Sequence, residues 1–514
     1  MRIVYVFILN IIIIIISFVE GQNRYAKIVD FDSRPNVAQE ILKYNNKYFI
    51  HHADKCFDDD QRNFEDCCGI IIIDEDGRIY DKQLIKKFST GNASLITDTL
   101  NQTIYLAGEE VVFNDYPNRF TVYQFNPTSL SLQDSFFLHD GNPEKRKYYQ
   151  LVTTFFNQKL IVGGATNEWN DQNGEGLLFT IDLEHYKIDT ILSINFRDRI
   201  SIWNSLTDKN GQLTISVFSQ DRLNDRSHIL KYDENFNTVW HWISERTEST
   251  QLPFICETES GNIVVALSAT GFNKIARLLC IREDQSIEWE FNFPGNSSKI
   301  QRTINSLKRL RNGDIVGIGY FGHTTLNSGG TIILKVPYVF RLTSTGKLLW
   351  QKAFYRDRPV LDFCNGYFND VVELDNGDLI AVGRLDNYLE YDPVVMQGRI
   401  DPDILIVRMD ANGCIDDDCK MLTKIYPDTT SSTTNTISEV EEAMLYPNPA
   451  HGGMYLLGND EVSKITFFTL QGVLAHEIFK PSDEITLPDF LSGLYIAHVH
   501  LKSGKVIKQK IVIQ

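Results

Sequence analysis

Between residues 37 and 420 the chain alternates short apolar runs with polar turns, and almost no stretch places its apolar residues at helical spacing. Ile104 to Ala107, Leu160 to Val162, Leu213 to Val217, Ile263 to Leu267, Ile315 to Ile318 and Leu379 to Val382 are such runs. Each follows a turn signal: Asn101-Gln102, Asn157-Gln158, Asn210-Gly211, Gly261-Asn262, Asn312-Gly313 or Asn376-Gly377, with Asn45-Asn46 as the first of the series. A second turn closes each unit, at Asp74 to Gly77, Asn126 to Thr128, Asp182 to Glu184, Asp233 to Asn235, Glu283 to Gln285, Thr343 to Gly346 and Asp410 to Gly413. The pattern predicts strands joined by tight hairpins.

Two turns per unit mean two hairpins, and so a sheet of four strands. The units recur at roughly 50 to 65 residues, near the period of propeller arrays. Such a sheet alone exposes two apolar faces, whereas radial packing against its neighbours buries both. The expected fold is therefore all-β: a seven-bladed β-propeller over residues 22–424. Six or eight blades are the alternatives, because the first and last units are the least regular, and a pair of β-sandwiches comes third.

Trp240, Trp289 and Trp350 each stand four residues after a turn position, occupied by Phe236, Gln285 and Gly346. Side chains repeated in this way are expected to fill the gaps between neighbouring sheets. Gly346-Lys347-Leu348-Leu349-Trp350 resembles the repeat of quinoprotein-type propellers. Only the fourth to sixth units carry it, so the resemblance speaks to fold rather than to a cofactor.

The two ends differ from the middle. Arg2 precedes an apolar run from Ile3 to Val19, and modest residues around Val19-Glu20-Gly21 suit a cut before Gln22; residues 1–21 read as a signal peptide. An uncleaved membrane anchor is the rival. The tract from Asp428 to Thr436 is polar and Thr-rich, which makes 425–443 a linker. Asp428-Thr429-Thr430 resembles a short bacterial O-glycosylation motif, but three residues carry little information and a plain polar linker is the preferred reading.

From 444 to 514 short strands return, punctuated by Gly472, Gly493 and Gly504. Ile507, Ile511 and Ile513 fall on one strand face, with Lys508, Lys510 and Val512 on the other. A small β-sandwich is expected. Tyr446-Pro447-Asn448-Pro449, Phe467 to Gly472, Gly493-Leu494-Tyr495 and the closing run around Lys508 and Lys510 occur in the order found in the C-terminal sorting domain of type IX secretion cargo of Bacteroidetes, which this segment resembles. Gln471 departs from the small or charged residue common before that glycine, at a turn position where this matters little. The resemblance implies three things: passage through the periplasm to the outer surface or medium, the type IX machinery and its sorting peptidase as partners, and membrane contact only during export or by surface anchoring.

With 50 basic and 67 acidic residues, the 514-residue chain carries a formal charge of -17. That argues against phosphate-driven nucleic-acid binding, which needs a basic surface. Eight cysteines in an exported chain are expected to pair. Cys414 and Cys419 are close enough for a local bridge, and Cys56 with Cys67 (or Cys68) would clip an acidic loop. The consecutive Cys67-Cys68 also invites comparison with the vicinal disulfide of quinoprotein alcohol dehydrogenases, but a seven-unit chain does not fit their eight blades.

Catalytic signatures are missing: no His-Glu-x-x-His, Gly-x-Ser-x-Gly, phosphate-binding glycine loop or Cys-x-x-Cys occurs. His51-His52 should point to opposite strand faces and read as surface residues. Asp401 with Asp403, and Asp416 to Asp418, read as solvated turn charge. Neither cofactor nor metal is expected. The preferred function is therefore non-catalytic binding, of a glycan or protein, with a polysaccharide hydrolase or lyase as the alternative. Two insertions, Phe321 to Gly330 and Leu385 to Pro393, follow the same strand of neighbouring units and should emerge on one face. Within them His323, Asp386, Tyr388 and Tyr391 are the candidate ligand contacts.

Overall fold

The computed structural model describes residues 24–29, 36–57, 64–86, 93–98, 101–110, 119–138, 148–166, 176–185, 187–194, 199–220, 226–244, 251–269, 276–293, 300–327, 330–356, 366–392, 397–415, 419, 422–425, 444–446, 453–457, 462–469, 472–481, 484–486, 493–502, 504 and 506–513. The signal peptide expected at 1–21, Pro447, Asn448, Pro449 and residues 426–443 of the expected linker lie outside them. Among the described residues every regular element is a strand.

Before the tail, the strands form consecutive antiparallel sheets. Sheet one is Val37–Tyr44, Lys47–Phe57, Phe64–Ile73 and Ile79–Lys86; sheet two is Ser94–Asp98, Thr103–Glu110, Arg119–Phe125 and Leu132–Leu138. Sheet three is Tyr148–Phe156, Lys159–Thr166, Gly176–Asp182 and Lys187–Ile194; sheet four is Arg199–Thr207, Leu213–Gln220, Arg226–Tyr232 and Thr238–Ile243. Sheet five is Gln251–Glu257, Ile263–Ala269, Arg277–Ile281 and Ile287–Asn292. Sheet six is Ile300–Arg309, Ile315–Asn327, Gly330–Leu342 and Leu348–Arg356, with Leu422–Ile425 added in parallel at its edge. Sheet seven takes Gly366–Glu373, Leu379–Asp392 and Gln397–Met409 from its own unit and its outer strand, Tyr25–Val29, from the beginning of the chain.

Each sheet packs on the next, and the seventh packs on the first. The apolar runs explain how. Their strands are covered on both faces, so successive residues feed different interfaces and nearly all are apolar. Ile70 lies in the core between sheets one and two, beside Phe49 and Leu106, while Ile71 lies between sheets one and seven, beside Ile380 and Ile404. Val265 faces sheet four with Leu279, and Val264 faces sheet six with Leu278. Outer strands instead alternate half-buried and exposed positions, as in Ile287–Asn292.

The turn that follows the third strand recurs with one geometry. Its fourth residue has a left-handed backbone at Gly77, Phe236, Gln285, Gly346 and Gly413. In sheets one, four, five and six, where this turn closes a hairpin, the register then shifts by one residue, as expected for a type I turn followed by a bulge. The turn glycines let the preceding sheet approach. Trp289 donates its indole N–H to the Ser344 carbonyl at 3.0 Å, and a Cβ on Gly346 would fall 2.6 Å from its ring. Trp350 repeats this with the Ala411 carbonyl (3.0 Å) and Gly413 (2.7 Å).

Buried charges sit beside these contacts. Arg341 pairs with Asp314 (2.7 Å) and also donates to the Ala411 carbonyl (2.6 Å). Arg408 pairs with Asp378 (3.0 Å) and donates to the Glu75 carbonyl in sheet one (2.8 Å). Lys231 pairs with Asp208 at 2.9 Å in sheet four. A guanidinium presents donors on both sides, so it can hold its own sheet's carboxylate and the next sheet's turn together.

Several expectations change. The insertions of sheets six and seven are not irregular loops: Ile315–Asn327 with Gly330–Leu342, and Leu379–Asp392 with Gln397–Met409, are long two-stranded extensions of the sheets. His51 and His52 are not surface residues, since both are fully buried. Opposite strand faces do receive them, but every face here is a sheet interface. Cys67 is disulfide-bonded and Cys68 is a buried thiol, so the two are not joined to each other. The side chain of Cys56 lies outside the described residues. Cys414 and Cys419 form a disulfide with their Cα atoms 4.7 Å apart. Next to it, Lys352 donates to the Cys419 carbonyl at 3.0 Å, just before Leu422–Ile425 joins the edge of sheet six.

In the tail, Met444–Tyr446, Gly453–Leu457 and Glu484–Thr486 form one sheet, and Leu474–Phe479, Val462–Thr469, Gly493–Leu501 and Val506–Ile513 form another. Leu445 and Ile485 from the first share a core with Ile465, Phe467, Tyr495 and Ile511 from the second. The Gln509 amide links the sheets, accepting from the Leu445 N–H (2.9 Å) and donating to its carbonyl (2.7 Å). Gly472 and Gly493 have positive φ, Tyr446 pairs with Tyr455, and Lys508 and Lys510 are exposed.

Candidate ligand-binding site

The two extended hairpins join the second and third strands of neighbouring sheets, so they rise from the same end of sheets six and seven. At their base, side chains from four strands converge. The Lys335 ammonium lies 4.6 Å from the ring centre of Tyr320 and 5.3 Å from that of Tyr367. The two rings are 6.4 Å apart, and the Arg384 guanidinium lies 6.0 Å from the Tyr367 ring. Arg384 in turn donates to the Asp386 carboxylate.

Burial lowers the Lys335 pKa, and the neighbouring Arg384 charge adds to this while Asp386 opposes it. Burial works against Arg384 as well, but its hydrogen bond and attraction to Asp386 prevail and hold it firmly charged. Two cations and one carboxylate leave an excess positive charge beside two aromatic rings. Tyr320 is buried beneath Lys335, while Lys335, Tyr367 and Arg384 are half-buried, so the accessible part of the cluster suits an anionic ligand held by charge-assisted hydrogen bonds beside the Tyr367 ring.

Of the residues singled out from sequence, Asp386 joins this cluster, at 3% exposure, as the partner of Arg384. His323 pairs with Ile300 and Leu334 in sheet six, Tyr388 with Ile400 and Tyr391 with Gly398 in sheet seven; their side chains lie outside the described residues. Sequence reading missed Tyr320, Lys335, Tyr367 and Arg384. The spacing Arg384-x-Asp386, which puts both on one strand face, was the one local signal available.

A second polar group lines the first strands. Those of sheets one, four, six and seven each carry a register shift, at Gln39, Trp203, Asn305 and Asn369. The bulged amides link up: Asn305 donates to the Phe368 carbonyl (2.7 Å), and Asn369 to the Ala38 carbonyl (2.8 Å). Next to the bulges stand two carboxylates. Asp370 accepts from the Ile41 N–H (3.2 Å) and Ser306 (2.9 Å) and pairs with Lys308 (3.2 Å); Glu40 accepts from the Leu95 N–H at 2.6 Å. Burial, then repulsion from Asp370, pushes the Glu40 carboxyl up to about 7. Burial disfavours charge on Lys308, but Asp370 and Glu40 outweigh it and raise its pKa. Both carboxylates spend acceptor capacity on backbone N–H groups of the next sheet, which is the work of a strand-to-strand clamp. A cavity of about 410 Å³ lies alongside, lined by Lys43, Lys308, Arg311, Glu373 and Asp375 among others.

In sheet four, Ser219 Oγ lies 2.9 Å from His228 Nε2, and His228 Nδ1 lies 3.1 Å from His241 Nε2. Ser219 and His228 are 1% and 5% exposed, and burial drives the His228 pKa down to about 3. This order of groups could activate a hydroxyl, yet here it ties three strands together inside a sheet. Among the described residues no cluster of three or more His, Cys, Asp or Glu side chains has metal-binding geometry.

Residues 444–514 match the family described as secretion system C-terminal sorting domain. The tail is a sorting domain of type IX secretion cargo, and the protein is exported to the cell surface or secreted. No curated protein matches the chain. Among solved structures, the chain is similar to a protein of unknown function from Dyadobacter fermentans DSM 18053 (TM-score 0.41, 11% identity, 75% of this chain and 98% of that one). It is also similar to the Dos1 propeller (0.44, 10%, 76% and 96%) and to the polysaccharide lyase Uly1 (0.41, 11%, 77% and 94%). At these scores the likenesses carry no statement about activity.

Proposed function

We propose that this protein is an exported seven-bladed β-propeller, spanning about residues 22–424, and that it binds an acidic glycan without transforming it. A linker at 425–443 would join it to a β-sandwich sorting domain, and residues 1–21 would be removed as a signal peptide. The packing of sheet seven on sheet one, with its outer strand drawn from the start of the chain, supports the blade count. The Lys335–Tyr320–Tyr367–Arg384 cluster at the base of two extended hairpins carries the binding reading. Uronate or sulfate groups would meet the cations, and a sugar ring would lie against Tyr367.

A polysaccharide hydrolase or lyase is the second reading, favoured by the coupled carboxylates Glu40 and Asp370. Their engagement with backbone N–H groups speaks for a structural role instead. A glycan array containing uronate and sulfated polymers, followed by product analysis, separates the two. Retention of an acidic polymer, weakened at least about tenfold by Lys335→Met with Arg384→Met, is the expected result. Shortened oligosaccharide products, abolished by Asp370→Asn, would establish the enzyme instead.

A further inference from the structure

Among the described residues, the contact that joins neighbouring sheets through an aromatic side chain and a turn occurs three times with a glycine: Trp289 on Gly346, Trp350 on Gly413 and Tyr25 on Gly77. Between sheets four and five the same two positions are Trp240 and Gln285. Gln285 keeps the left-handed backbone (φ 67°) but brings a side chain to the place where the others have none. Trp240 differs as well. Its indole N–H is buried and has no acceptor, although the equivalent N–H groups of Trp289 and Trp350 each reach a turn carbonyl. The matching carbonyl here belongs to Glu283. Instead of closing on Trp240, Glu283 lines with it a cavity of about 250 Å³.

Lys231 adds to the opening. Arg341 and Arg408, at the equivalent positions of sheets six and seven, bridge to the next sheet's turn, while the lysine ends on Asp208. The cavity thus has an apolar floor of Val239, Trp240 and Ile281, with Gln212, Arg282 and Glu283 around it. An aromatic floor ringed by side-chain donors and acceptors is the chemistry that recognises a pyranose, which shows an apolar C–H face and a polar rim.

We infer that this gap is a binding site for a single sugar ring, whose hydroxyl oxygen accepts from the Trp240 indole. The site lies at the turn end of sheets four and five, opposite the end from which the long hairpins rise. It therefore stands independently of the acidic-glycan site.

The test is calorimetric titration of the mature, secreted protein with D-glucose, D-galactose, D-mannose, N-acetyl-D-glucosamine and D-glucuronate, with indole as an apolar probe of similar size. At least one sugar should bind with one-to-one stoichiometry. Trp240→Phe, which keeps an aromatic floor and removes the donor, should weaken it about tenfold, the worth of one hydrogen bond to a neutral acceptor. Gln285→Gly should abolish binding while raising the thermal midpoint, because Trp240 can then dock on the turn. Tyr80→Ala, an exposed substitution in sheet one, should change neither. The inference is overturned if no sugar binds, if indole alone binds, or if the sugar affinity is unmoved by Trp240→Phe in a protein whose unfolding shows it to be intact.

Discussion

The Tyr25 ring sits directly on Gly77: a Cβ placed on that glycine would lie 2.4 Å from the ring. These residues belong to the outer strand of sheet seven and to a turn of sheet one, so their contact is where the ring of sheets meets itself. Tyr25 is fully buried and Gly77 has φ 69°. Tyr25→Ala should cost about 3–5 kcal/mol, in the range of other large-to-small core changes at aromatic sites. Gly77→Ala should cost about 1–3 kcal/mol from backbone strain and overpacking. Urea denaturation of both variants measures this; losses no larger than those of an exposed substitution such as Tyr80→Ala would show that closure does not rest on this contact.

Arg408 holds Asp378 at 3.0 Å with both partners almost fully buried. Removing the cation alone leaves a carboxylate without its charge partner, so Arg408→Met should destabilise by about 3–5 kcal/mol. Asp378→Leu in the same chain should restore part of that loss, since an apolar pair needs no charge compensation. A double-mutant cycle reads the coupling; additive losses would refute it.

Burial lowers several histidines below their ordinary value, His51 to about 4 and His52 and His228 to about 3 among them. The unfolded chain therefore binds more protons than the folded one below about pH 6.5, and stability falls as pH falls toward 4. Glu40 has the opposite sign. Its folded pKa of about 7 lies above the ordinary 4.5, so its contribution is complete below pH 4.5 and is lost as pH rises to 7. Glu40→Gln should therefore steepen the gain in stability between about pH 5 and 7, and His51→Leu should shallow it. Denaturation midpoints across that range check both slopes; a profile flat with pH would contradict the buried histidines.

Removal of residues 444–514 takes away the sorting domain. The truncated protein should fold, because the described tail core draws only on tail residues. It should collect in the periplasm, while the full chain reaches the surface or medium. Immunoblots of periplasmic and extracellular fractions decide; normal delivery of the truncated chain would mean a second export signal.

Much of this architecture is local in origin. Apolar runs and turn residues mark strands and hairpins because both depend on neighbours in sequence, and the turns at Asp74, Asp233, Glu283 and Thr343 close hairpins, whereas the one at Asp410 does not, since the outer strand of its sheet is Tyr25–Val29. The tail motifs were legible for the same reason. Only the tertiary structure decided what those strands meet. Tyr25–Val29 shows nothing in its own five residues of its partner near Arg408, almost four hundred positions away. His51 and His52 alternate as a strand requires, but whether the faces they point to are wet depends on the neighbouring sheets. Lys335, Tyr320, Tyr367 and Arg384 come from separate strands and leave no motif. Trp240 looks in sequence like Trp289 and Trp350, yet its indole N–H lacks the turn carbonyl that theirs reach, and Gln285 stands across the interface where they meet a glycine.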